Sequence, residues 1–120
     1  MCFTLIKTAP KLIAKEDITC YKVIHKNFTS LYYSFQYVVG ELVKSDIVIE
    51  STPEDYDIID VGLHSYTDLQ IAIKTHNAGV NIYLAAPIIV ECIIPEGSEY
   101  YENPFDREYV SNQLIVTKKL

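Results

Sequence analysis

The sequence predicts an α+β fold: a mostly antiparallel sheet of about five to seven short strands, with one principal helix at about residues 66–78 packed on it. Three observations carry this. Runs rich in β-branched and aromatic residues recur between turn residues, without helices alternating between them, which argues against a doubly wound parallel sheet. Only one stretch keeps a helical period: Leu69, Ala72, Ile73 and His76 fall at i, i+3, i+4 and i+7. The 120 residues are 49% hydrophobic, which suits one folded domain, residues 1–120, that buries roughly two-thirds of its unfolded surface.

Taken in order, residues 2–6 are short and apolar, an edge strand or a tail on the core, and Ala9-Pro10 interrupts them. Residues 11–17 read as a connection. Residues 19–25 are strand formers, with Tyr21 and Val23 on one face and Lys22 and Ile24 on the other. A loop with aromatic anchors Phe28, Tyr32 and Tyr33 follows, then a strand or short amphipathic element at 35–39, broken by Gly40, and strand-like runs at 41–43 and 47–49. Residues 51–57, with Pro53, Glu54 and Asp55, form the clearest surface loop.

Gly62-Leu63-His64-Ser65 reads as a turn into the helix. The Ser65 hydroxyl, or that of the neighbouring Thr67, is placed to cap the first turn, and Asp68, three residues on from Ser65, completes a capping box. On that reading Ser65→Ala costs about 1 kcal/mol. Asn77-Ala78-Gly79 supplies the stop. Strand-like segments follow at 80–84 and 88–94, the second being the most hydrophobic run and expected near the sheet centre. Glu91 inside that run needs a partner if it is buried. Pro95-Glu96-Gly97 and Asn103-Pro104 are turns around a strand at 99–101. Residues 108–110 and 113–116 form a last strand with a bulge or turn at Ser111-Asn112.

Composition excludes several functions. A net charge of −6 repels phosphate backbones, so nucleic acid is not expected as a partner. No window approaches the ~20 apolar residues of a membrane helix. Lys7 and Lys11 follow the first apolar residues, the reverse of a signal peptide, so the expected compartment is the cytoplasm. Cys2, Cys20 and Cys92 are odd in number and lack a C-x-x-C pair, which argues against a disulfide framework and a thiolate zinc site; they read as small apolar residues. His25, His64 and His76 lack chelating spacing, so no metal is expected. The chain contains no P-loop, dinucleotide-binding glycine fingerprint or nucleophile elbow.

The candidate ligand-binding residues are His64, Ser65, Tyr66 and Tyr21. His64 precedes the expected cap, where a helix N-terminus would depress its pKa and offer N–H groups to an anion. Ten tyrosines and no tryptophan provide apolar area with polar tips. Glu108 opens an apolar strand and could project into a cleft, making it the candidate catalytic residue. The competing structural reading of His64 is a hydrogen bond that fixes the turn.

The order of Tyr21-Lys22-Val23, Gly62-Leu63-His64-Ser65, Ile93-Ile94-Pro95-Glu96-Gly97-Ser98 and Glu108-Tyr109-Val110-Ser111 resembles small uncharacterised phage and bacterial proteins that carry a G-[LF]-H-S turn. More distantly, it resembles the ADP-ribosyltransferase-like fold. By motif position, that resemblance implies Ser65 or Tyr66 as the middle element and Glu108 as the late one. Lys22 stands where the family has Arg or His, and His25 is offset, so the resemblance implies architecture more than activity. The leading functional expectation is a small acidic binding protein, of phage or mobile-element origin, holding a nucleotide-like ligand or a protein partner without a cofactor. The alternatives are a minimal or degenerate ADP-ribosyltransferase-like enzyme, which alone would use NAD, and a homo-oligomer joined through residues 88–94 and exposed tyrosines.

Overall fold

The computed structural model describes residues 3–6, 9–30, 36–79 and 87–120. The elements are β1 (Phe3–Ile6), β2 (Leu12–Ile13), β3 (Ile18–Ile24), β4 (Leu42–Lys44), β5 (Val48–Ser51), β6 (Tyr56–Val61), β7 (Leu63–Tyr66), α1 (Leu69–Gly79), β8 (Ile88–Ile94), β9 (Glu99–Asn103), β10 (Glu108–Ser111) and β11 (Gln113–Lys119). The mostly antiparallel sheet with one helix is as expected, but eleven strands among the described residues exceed five to seven. Strands such as β2, with two residues, and β4, with three, are too short to show a period of two. The 51–57 loop contracts to the turn between β5 and β6, and β6 occupies residues where the pattern predicts no strand. The expected strand at 80–84, the aromatics Tyr32, Tyr33 and Phe35, and Cys2 lie outside the described residues. Of residues 36–39, only Gln36 makes a bridge, to Thr29.

The strands form a three-stranded sheet, β1-β6-β5, and an eight-stranded one, β2-β9-β10-β7-β3-β8-β11-β4, with antiparallel ladders throughout the described residues. The link between β10 and β11 dictates the shape. Asn112 alone separates them, although they stand third and seventh in the order. Two residues of extended chain span about 7 Å, whereas four steps across a flat sheet cover about 19 Å. The five strands from β10 to β11 must therefore curl until their ends meet, and one bent strand closes a small barrel. Asn112 holds the corner: its N–H donates to the Glu99 carbonyl at 3.0 Å, and its side-chain oxygen accepts from the Glu99 N–H at 2.9 Å.

Alternate residues fill the interior. Cys20, Ile24, Leu63, Val90, Cys92, Ile94, Leu114 and Val116 are fully buried in one cluster. The 88–94 run is consumed here, since β8 lies between β3 and β11 and its alternate residues Val90, Cys92 and Ile94 point inward. Glu91 has its partners: Thr117 Oγ1 lies 3.4 Å and Lys118 Nζ 3.8 Å from its carboxylate. Val110 faces outward from β10 and is covered by Leu5 and Ile59 of the small sheet. Gly62 lets the chain pass from one sheet to the other, because a Cβ there would stand 2.4 Å from Val110 Cγ1.

The expected turn at 62–65 is instead strand β7, and α1 starts at Leu69. Ser65 does not cap it. Asp68 does, its Oδ1 accepting from the Ile71 N–H at 2.9 Å. The sequence signal at Ser65 loses to packing, since Leu63 and Ser65 are needed as interior residues of the barrel. From Asp68 the helix runs beside β3 and buries Ala72, and in its last turns His76 Nε2 donates to the Pro87 carbonyl at 2.8 Å. No helix among the described residues is long and apolar enough to cross a membrane.

Candidate functional site

Register decides which candidates meet. Side chains alternate across a strand, so directly opposed residues share a face. Tyr21 of β3 is opposed to Tyr66 of β7, and Tyr66 to Glu108 of β10. The row continues to Asn103 on one side and Glu91 on the other. Three of the five sequence candidates therefore line up on adjacent strands of the outer face, all half-buried. His64 lies on the same face two residues before Tyr66, opposed to Val110. Ser65 points the other way, into the barrel, and cannot join them.

Two local devices place Glu108. Asn103 Oδ1 accepts from the N–H groups of Phe105 and Asp106 at 3.0 and 3.2 Å, closing the β9–β10 turn. Arg107 then takes a left-handed backbone, φ 53°, which swings the chain into β10. Its carbonyl accepts from the Thr67 N–H at 2.9 Å, and its guanidinium lies 3.3 Å from Asp68 Oδ2. Asp68 thus joins the helix start to the same corner, beside the Tyr66–Glu108 pair. Phe105, at the tip of this turn, is 81% exposed, far more than an aromatic ring normally is.

Burial shapes the electrostatics. Glu108 is pushed up to about 7, first by desolvation and then by Asp106, with Lys22 opposing. Near neutral pH its carboxyl therefore both donates and accepts hydrogen bonds, and it is poised for proton transfer. His64 is pushed down to about 4 by burial and by Lys22, so it is neutral. The expected cause, the helix N-terminus, does not apply, because His64 sits within β7. The His64 carbonyl accepts a hydrogen bond from Lys22 Nζ.

Lys22 is not among the candidate site residues read from the sequence. It points into the barrel with Cys20 and Ile24, and Nζ lies 5.7 Å from the centre of the Tyr37 ring, a cation–π distance. Burial lowers its pKa to about 8, with Cys92, Cys20 and Glu108 opposing. The legible signal is its inward position in an alternating strand. Asp68 and Arg107 carry no such signal, since their contact spans 39 residues.

A concavity of about 530 Å³ lies away from this row, between the β4–β5 connection and β9. The Lys11–Glu99 ion pair, at 2.9 Å, stands at its lining, and none of the sequence candidates takes part. Among the described residues, no cluster of three or more His, Cys, Asp or Glu could hold a metal ion. No protein-family model, curated protein or solved structure matches the chain.

Proposed function

We propose that the chain is a small binding protein whose outer row, Tyr21, Tyr66 and Glu108, takes a nucleotide-like ligand through its flat heteroaromatic base. The direct opposition of these three residues on adjacent strands carries the reading. Two tyrosine rings offer apolar area beside polar tips. A carboxyl held near 7 can donate to a ring nitrogen or accept from an amino group. The exposed Phe105 ring at the neighbouring turn adds apolar surface. The net charge of −6 favours the base over the phosphates as the recognised part. The free thiols Cys20 and Cys92 suit a cytoplasmic setting, and the Gly62-Leu63-His64-Ser65 resemblance supports a phage or mobile-element origin.

Thermal-shift and calorimetric titration with nucleosides, nucleotides and NAD test this. At a hundredfold excess over Kd, a genuine ligand stabilises the fold by about 2.7 kcal/mol. Tyr66→Ala then weakens binding at least about tenfold, and Glu108→Gln removes the pH dependence of binding near 7. Absence of stabilisation by every nucleoside and nucleotide sinks the reading.

A second reading, an ADP-ribosyltransferase-like enzyme, draws on Glu108 alone, whose raised pKa suits acid–base work. Its cationic element has no match on this face, because Lys22 is buried and engaged by the His64 carbonyl. Equal, background NAD consumption by wild type and Glu108→Gln removes it. For a homo-oligomer, the 88–94 run offers no edge, being paired on both sides.

A further inference from the structure

We propose that Cys20 and Cys92 form a peroxide-reactive dithiol inside the barrel, which closes to a disulfide linking β3 to β8. The two residues are directly opposed in the β3–β8 ladder, both point inward, and both are fully buried as free thiols. Directly opposed residues of an antiparallel pair have Cα atoms about 4.5–5.5 Å apart. That falls within the Cα range a disulfide needs, so the register is compatible with the bond. Lys22 lies two residues along β3 on the same face, and its ammonium favours a thiolate beside it. The neighbouring Cys92 thiol first, then Ser65 and Lys22, hold Cys20 below the usual thiol range, against its burial, whereas Cys92 is pushed up. Lys22 acts on both sulfurs, so the pair shares one thiolate; the attack is written for Cys20, on the lysine's own strand, and runs the same way with the two sulfurs exchanged.

Enclosure selects the oxidant. With both sulfurs buried, hydrogen peroxide, close to water in size, reaches them more readily than a bulky disulfide. The Cys20 thiolate attacks one peroxide oxygen: an S–O bond forms, the O–O bond breaks, and the departing hydroxide takes up the thiol proton and leaves as water. Cys92 sulfur then attacks the sulfenic sulfur of Cys20. The S–S bond forms, the S–O bond breaks, and the second water carries away the Cys92 proton. Two thiols are oxidised by two electrons, and one peroxide is reduced to two waters. The site uses interior residues only and is independent of the outer row.

The test uses the full chain as Cys2→Ser, treated with stoichiometric hydrogen peroxide at neutral pH without denaturant, then analysed by intact mass and by peptide mapping before and after reduction. The expected product has lost two hydrogens and yields one cross-linked peptide pair containing Cys20 and Cys92, which dithiothreitol reverses. In the same background, Lys22→Met slows oxidation about tenfold as thiolate stabilisation is lost. Oxygen addition at either sulfur without a cross-link, two thiols still alkylatable after unfolding, or cross-links between chains would each overturn the proposal. An unchanged rate in Lys22→Met overturns the role given to that residue.

Discussion

Strand β7 holds two environments one residue apart. Leu63 and Ser65 face the barrel and are almost wholly buried, whereas His64 and Tyr66 face outward and stay half-exposed. The inner face is chosen by volume and tolerates polar groups only where the neighbours allow, as with Lys22 against the His64 carbonyl. Displaced pKa values occur on both faces, but His64, lowered, and Glu108, raised, are the displaced groups that stay half-open to solvent, whereas Lys22, Cys20 and Cys92 are enclosed. Displaced titration in a half-open setting is where a functional site is sought, while the buried residues of the same strand serve packing.

The sharpest way to break this comparison is to remove volume from the inner face. Leu63→Ala takes a fully buried side chain from the centre of the main cluster, and a loss of about 3 kcal/mol is expected in urea unfolding. Tyr66→Ala, on the outer face, is expected to cost less than half as much. Equal losses would mean that the outer row is core and not surface.

Gly62→Ala tests the crossing between the sheets. The new Cβ would meet Val110 Cγ1 at 2.4 Å, and Val110 is itself held by Leu5 and Ile59. Overpacking of this kind costs about 1–3 kcal/mol. Val110→Ala should recover part of the loss in the double variant, and purely additive losses would show that the clash is relieved elsewhere.

Asp68→Ala removes the real helix cap and the Arg107 contact together. The cap is worth about 1 kcal/mol, and the exposed ion pair adds little. Circular dichroism should show fraying of α1, and Arg107→Ala alone should leave the helix intact.

The pH dependence separates the two displaced groups. Glu108 is raised from 4.5 to about 7, so the stability it contributes is whole below 4.5 and is lost as pH rises through 7. His64 is lowered from 6.5 to about 4, so its contribution is whole above 6.5 and is lost as pH falls through 4. Between about 4.5 and 6.5 the two slopes oppose each other. Glu108→Gln should therefore gain on wild type from pH 4.5 to 7, by about 1 kcal/mol once partial exposure is allowed for. Denaturation midpoints across this range check it, and a constant difference between the proteins would mean that Glu108 titrates normally.

These contrasts also show what a sequence discloses. The local signals were legible: the alternation in β3, the apolar run of β8, and the helical period from Leu69 to His76 all correspond to real elements. Register was not. Tyr21 meets Tyr66 only because β3 and β7 are neighbours in a curled sheet, and no local pattern encodes that partnership. The barrel corner at Asn112 appeared in the sequence as a bulge or turn, because its change of strand partners is a long-range event.

The smallest expected effect is the most informative about this limit. Read locally, Ser65 followed by Asp68 is a capping box, and Ser65→Ala should cost about 1 kcal/mol. In the fold, the Ser65 hydroxyl is buried and faces only the Cys20 sulfur, a weak hydrogen-bond acceptor. A hydroxyl in that position has lost its hydration for one weak contact to sulfur, so its removal relieves a cost. The void left by one oxygen offsets part of the gain. Ser65→Ala should therefore leave stability within about 0.5 kcal/mol of wild type or raise it, with helix content unchanged. A loss of 1 kcal/mol or more, measured against a paired Asp68→Ala that shows none, would return the cap to Ser65 and take β7 out of the barrel.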